Sequence, residues 1–168
     1  MAIIETGLGG RLDSTNIIYP KLSVITNIGY DHMQFLGTSL EQIAFEKAGI
    51  IKKQTPVIIG EWNRSTASVF KEKAKQENAP IHFASRHIAL SQIRTNFFKH
   101  TYGVDIGEST WINSLSTDLT GPYQVKNITT VFETIWRWNQ YYPQEKISDR
   151  FIKLGLANVK ESTQMIGR

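Results

Sequence analysis

Leu22-Ser23-Val24-Ile25-Thr26, then Thr38-Ser39-Leu40-Glu41 running on to Gly49, then Pro56-Val57-Ile58-Ile59 set out a strand, a helix and a second strand. Short apolar runs rich in β-branched side chains suit buried strands, whereas the segment between them repeats its apolar residues at helical spacing. Thr38 can cap that helix with Glu41 reaching back, and Gly49 supplies a stop, which predicts a helix over about 39–48. Working outward, residues 2–4 and 81–83 are further strand candidates. A second helix is predicted over about 66–78, with Val69, Phe70 and Ala74 as its apolar stripe and Pro80 beyond its end. Strands alternating with helices mark βαβ units, so the first 85 residues predict an α/β fold with a mostly parallel sheet flanked by helices.

From residue 88 to 119 the pattern changes to short β-branched and aromatic runs, Phe97-Phe98, Tyr102, Val104, Ile106 and Trp111-Ile112, broken at Gly103 and Gly107. These predict a small antiparallel β meander. Gly121-Pro122 then opens a long helix in which Val125, Ile128, Phe132, Ile135 and Asn139 recur at spacings of three and four, until Pro143. Ser148 caps a last short helix, and the polar segment from Asn158 onward reads as the entry to a linker.

The chain has 168 residues, 40% hydrophobic and 11% aromatic, with no Cys, which excludes a disulfide-stapled scaffold and a disordered polyanion. No apolar run approaches the roughly 20 residues of a membrane helix, and Glu5 interrupts the start too early for a signal peptide. A cytoplasmic protein without a membrane partner is expected. The sequence pI of about 9.3 raises the question of nucleic acid. Distribution argues against it: Lys71, Lys73 and Lys75 are interleaved with Glu72 and Glu77, as on a solvated helix face, so no nucleic-acid partner is expected.

Three features fall at strand ends or on a helix following a strand, where open α/β sheets bind ligands. Glu5-Thr6-Gly7-Leu8-Gly9-Gly10-Arg11-Leu12-Asp13-Ser14-Thr15-Asn16 places a carboxylate and three glycines after the first strand candidate, suited to a metal or phosphate, or simply to a tight loop. It is not the Gly-x-x-x-x-Gly-Lys-Ser/Thr phosphate loop, which occurs nowhere in the chain. Thr26-Asn27-Ile28-Gly29-Tyr30-Asp31-His32 offers an imidazole and a carboxylate at the same expected sheet edge. Lys47 lies on an apolar stripe, because Leu40, Ile43, Ala44 and Lys47 are spaced i, i+3, i+4 and i+7. Burial there would depress its pKa, leaving a snorkelling stem with a paired ammonium or a neutral amine that takes up carbon dioxide as a carbamate.

In this order the motifs resemble those of the folylpolyglutamate synthase/dihydrofolate synthase family of the Mur ligase superfamily. The similarity runs through the Glu5 to Asn16 segment, Ile25-Thr26-Asn27-Ile28-Gly29-Tyr30-Asp31-His32, Leu36-Gly37 and Ile43-Ala44-Phe45-Glu46-Lys47-Ala48-Gly49-Ile50-Ile51-Lys52. It continues in Gly121-Pro122-Tyr123-Gln124-Val125-Lys126-Asn127 and ends at Gly167-Arg168, like the start of the family's linker. The resemblance implies an ATP-dependent ligase in which a substrate carboxylate becomes an acyl phosphate and the amino group of L-glutamate displaces phosphate. It implies Glu5 and His32 as Mg2+ ligands, Lys47 as a carbamylated, catalytic third ligand, and Asn127 near the adenine of ATP. Arg11 and Asp13 would fall in the loop shaping the folate or dihydropteroate end of the site. The resemblance assigns Asp31 no role; orienting His32 is one option for it.

The family's phosphate loop precedes the Glu5 segment, and a glutamate-binding domain follows its linker; neither occurs in these 168 residues. The resemblance therefore implies a partial central ATP-binding domain over 1–158, with the antiparallel subregion at about 88–119 and a linker starting at 159–168. Little ligase activity is expected of this chain alone, and residues 2–4 and 22–26 are expected to expose an edge that favours self-association. Two other readings are a piece of a cell-wall peptide ligase and a catalytically dead interaction module.

Overall fold

In the computed structural model, which describes residues 2–164, β1 (Ser23–Ile25), β2 (Val57–Ile59) and β3 (Ile81–Phe83) form a parallel sheet in that order. The register pairs Val24 with Ile58 and Ile58 with His82. Parallel neighbours need crossovers, and helices α2 (Leu40–Ala48) and α3 (Arg64–Gln76) supply them, with the short α1 (Met33–Leu36) ahead of α2. All of β2 is buried, as expected of a central parallel strand. Ile25, Val57 and Ile59 of the sheet share one core with Ala44 and Ala48 of α2 and Phe70 and Ala74 of α3.

These elements form one compact unit, residues 1–83; a second comprises residues 84–168. There β4 (Ile88–Thr95), β5 (His100–Ile106) and β6 (Ser109–Thr117) form the antiparallel meander. Helices α4 (Gln124–Tyr141), α5 (Asp149–Ala157) and α6 (Val159–Thr163) follow. Tyr102, Val104, Ile112 and Leu115 of the sheet pack with Ile128 and Phe132 of α4 and Ile152 and Leu156 of α5. Glu133 of α4 is 0% exposed within this unit. Its carboxylate pairs with Nδ1 of His87 and, at 2.7 Å, with Nε of Arg137. No helix among the described residues is long and apolar enough to cross a membrane.

The structure corrects four local expectations. Residues 2–4 join no ladder, and Ile3 is 91% exposed, because a three-residue β-prone segment is a strand only where a neighbour takes up its backbone hydrogen bonds. The cap of α2 sits one residue later than expected: Ser39 Oγ accepts the Gln42 amide, and Gln42 Oε1 accepts the Ser39 amide. Helix α3 starts at Arg64, capped by Asn63, whose Oδ1 accepts the Ser65 amide at 3.0 Å. Gly103 lies inside β5, where the space a Cβ would need is taken by Ser91 Oγ at 2.6 Å, while Phe97-Phe98 form a turn. Gly107, with φ +58°, does turn the chain.

The polar segment from Asn158 onward begins as a short helix, the amides of Val159 and Lys160 held by Asp118 at 2.9 Å. Gly167-Arg168 lie outside the described residues.

Candidate functional site

The loop from Leu8 to Asn16 is folded by one carboxylate. Asp13 accepts the Leu8 amide at 3.0 Å on Oδ2, and the Thr15 amide at 2.9 Å and hydroxyl at 2.6 Å on Oδ1. Led by the Thr15 hydroxyl, these donors favour the ionised form and lower the Asp13 pKa from 3.8 to about 2. The same side chain caps a 3-10 turn over Ser14–Ile17.

This loop docks on the last turn of α2. The Arg11 amide donates to the Glu46 carbonyl at 2.8 Å, which within the last turn takes only the longer bond from the Gly49 amide at 3.3 Å. Asn16 Nδ2 donates to the carbonyls of Arg11 and Gly49, each at 3.1 Å, and Lys52 Nζ donates to the Asn16 carbonyl at 2.7 Å. Glycine makes this approach possible. A Cβ on Gly49 would lie 2.3 Å from Arg11 Cα, and one on Gly10 would lie 3.0 Å from the Glu46 carbonyl oxygen. Side chains repeat the contact: Arg11 Nε lies 3.2 Å from both Glu46 carboxylate oxygens, and a terminal guanidinium nitrogen 3.0 Å from Oε1. The Phe45 ring lies 5.7 Å from the guanidinium carbon.

Of the expected site residues, Glu5 is exposed and has no partner among the described residues. His32 lies in the left-handed region, φ +50°, immediately before α1. Its amide donates to Asp31 Oδ1 at 2.8 Å, and its Nε2 is 3.6 Å from Asp31 Oδ2, so Asp31 does face the imidazole. Lys47 is half-buried rather than buried; Ile43 and Ala44 occupy the centre of the stripe and Lys47 its margin. Its ammonium has no partner among the described residues. Asn127 lies in the first turn of α4, in the second unit, its amide nitrogen 3.0 Å from Gln124 Oε1. Arg11 and Asp13, expected to shape a substrate pocket, are both engaged by protein groups.

No three His, Cys, Asp or Glu side chains gather into a metal cage among the described residues. Mg2+ itself keeps several waters and takes one or two carboxylates plus substrate phosphates, so the comparison rests on the donor types alone. Among the expected residues, Glu5 is a carboxylate, His32 an imidazole, and Lys47 would be an oxygen donor only as its carbamate. Glu46, Asn16 and Lys52, which hold the glycine loop on the end of α2, carry no role in the sequence motifs. The one signal that could have found them is the pair of glycines, Gly10 and Gly49, each set beside a chain that must come close.

A parallel sheet with a glycine loop docked on its first crossover helix defines an α/β domain of the open-sheet, ligand-binding class. The Mur ligase middle domain matches residues 1–135, and the chain belongs to that family. Over 87 residues it is 49% identical to the dihydrofolate synthase/folylpolyglutamate synthase of Bacillus subtilis (strain 168), covering 52% of this chain and 20% of that protein. It is similar to a solved FPGS–AMPPCP–folate complex, with TM-score 0.84 and 29% identity over 92% of this chain and 37% of that one. It is also similar to E. coli FolC in complex with DHPP and ADP, with TM-score 0.63 and 26% identity over 91% of this chain and 33% of that one. The chain thus spans a fifth of the bacterial relative and about a third of the solved chains.

Proposed function

We propose that this chain is the part of a folate-type ligase's central ATP-binding domain that carries its metal donors, and that the whole enzyme adds L-glutamate to a folate or to dihydropteroate. The observation that carries this reading is the docking of the Glu5 to Asn16 motif on the helix turn bearing Lys47, since it joins two separate family motifs in one place. The likeness to a folate- and AMPPCP-bound enzyme and to one holding DHPP and ADP supports the substrate class.

In this reading the substrate carboxylate attacks the γ-phosphorus of ATP, ADP leaves, and an acyl phosphate forms. The amino group of glutamate then attacks the acyl carbon, losing a proton as phosphate departs. Mg2+, when bound, would neutralise charge on the phosphoryl group during transfer. Glu5, His32 and Lys47 are its proposed holders, with Lys47 as the carbamate. Asp31 Oδ2, 3.6 Å from His32 Nε2, is the group proposed to orient that ring. Asn127 is proposed at the nucleotide.

The same proposal takes residues 1–158 as one portion of the central domain and 159–168 as the start of a linker, places the protein in the cytoplasm, and includes self-association through the exposed Ile3 and Ile4. The chain contains no Gly-Lys-Ser/Thr phosphate loop, so the purified chain is expected to show no glutamate-dependent ADP release.

A chimera tests the ligase reading: residues of this chain replace the matching segment of the Bacillus subtilis relative. Glutamate- and folate-dependent ADP release is expected to persist and to fall by about 100-fold or more with Glu5→Gln or His32→Ala, beyond the range for groups that only orient a metal ligand. A folded chimera whose ADP release ignores both substitutions overturns the assignment of the metal donors.

A further inference from the structure

We propose that Arg11 and Glu46 are positioning residues: their paired contact fixes the loop that follows Glu5 on the helix turn bearing Lys47, and so sets the spacing between two proposed metal donors. This rests on the metal reading above.

The two residues are 35 apart in sequence and joined twice, through the Arg11 amide on the Glu46 carbonyl and through the guanidinium fork on the carboxylate. A forked pair fixes orientation as well as distance, which a lone point charge does not. Glu46 immediately precedes Lys47, so a shift of Glu46 is a shift of the Lys47 turn. Towards Glu5, the tie from Asp13 to the Leu8 amide carries the constraint back to within three residues of the proposed ligand. Gly10 and Gly49 leave no slack between loop and helix, and Asn16 with Lys52 fastens the loop's far end. The Glu46 side chain is 19% exposed and that of Arg11 44%, so the pair sits partly in solvent. Such pairs contribute little to global stability. Position is what this one determines, and the two effects can be separated.

The test is a double-mutant cycle in this chain with Arg11→Met, Glu46→Gln and the double variant. Three quantities are read: amide exchange at Leu8 and Arg11, Mn2+ affinity from paramagnetic broadening of the His32 ring signals, and thermal unfolding. Each single variant is expected to speed exchange at Arg11 at least about tenfold and to weaken Mn2+ by about tenfold, the low end for groups that orient a ligand. The melting temperature should stay near that of the parent, and the double variant should lose no more than either single. Unchanged exchange in both singles, or losses that simply add in the double variant, overturns the proposal. If the parent chain shows no Mn2+ broadening at His32, the metal reading fails, and exchange at Arg11 and Leu8 alone decides the positioning role. Broadening that persists with unchanged affinity in both singles overturns the positioning role while leaving the metal reading intact.

Discussion

Two loops of the first unit, one following Glu5 and one ending at His32, adjoin proposed donors, and they are built differently. The one after Glu5 is tied to itself through Asp13 and to α2 through Arg11 and Asn16. Among the described residues the hydrogen bonds of the one ending at His32 are local: the Asp31 carboxylate to its neighbour, the Asp31 amide to the Gly29 carbonyl at 2.9 Å, and Thr26 to Asn27. In the proposed site this contrast would set a firmly held loop beside an adjustable one. A donor set fixed on both sides would have to match the cation's geometry unaided, whereas one fixed side leaves the other free to close around it.

Adding a methyl group where the first loop docks on α2, and another within the second loop, breaks the comparison most sharply. Gly49→Ala places a carbon 2.3 Å from Arg11 Cα, so loop and helix must part, and a loss of about 3 kcal/mol is expected in urea unfolding. Gly29→Ala meets nothing within 4 Å and should stay within about 0.5 kcal/mol of the parent. Equal losses at the two positions would mean that the first loop is no more tightly packed than the second.

Asn16→Ala comes next. It removes the amide shared by the Arg11 and Gly49 carbonyls, and about 1 to 2 kcal/mol is expected in the same measurement.

The smallest effect is local and depends on pH. The Asp13 carboxyl titrates at about 2 in the folded loop against 3.8 as the ordinary value, so its contribution is complete above pH 3.8 and is lost as pH falls through about 2. Exchange of the Leu8 and Thr15 amides, compared with that of neighbouring amides, should accelerate across that window. Asp13→Asn should remove the dependence.

Much of the fold is legible in local chemistry. The strands at 23–25, 57–59 and 81–83 and helix α4 follow from β-branched runs and a three-four apolar repeat. The one-residue shift of the α2 cap has a plain cause: Ser39-Leu40-Glu41-Gln42 satisfies the capping pattern as well as Thr38-Ser39-Leu40-Glu41, and only backbone geometry chooses between them. Residues 2–4 look like a strand because propensity records side-chain preference and says nothing of a partner. In the site, the loop and the Lys47 stripe are visible as patterns, but the contact of Arg11 with Glu46 spans 35 residues and leaves no periodic trace. Glycines hint at such contacts without naming the far side.

Glu133 has a consequence for how the second unit comes apart. Its fully enclosed carboxylate is held by His87, at the entry to β4, and by Arg137, one turn along α4. Peeling the helix away from the chain entering β4 would take His87 from an enclosed carboxylate and leave it Arg137 of its own helix, a loss felt at both elements together. Hairpin and helix should therefore exchange their protected amides as one cooperative block, without a half-open form in which β4 frays ahead of α4.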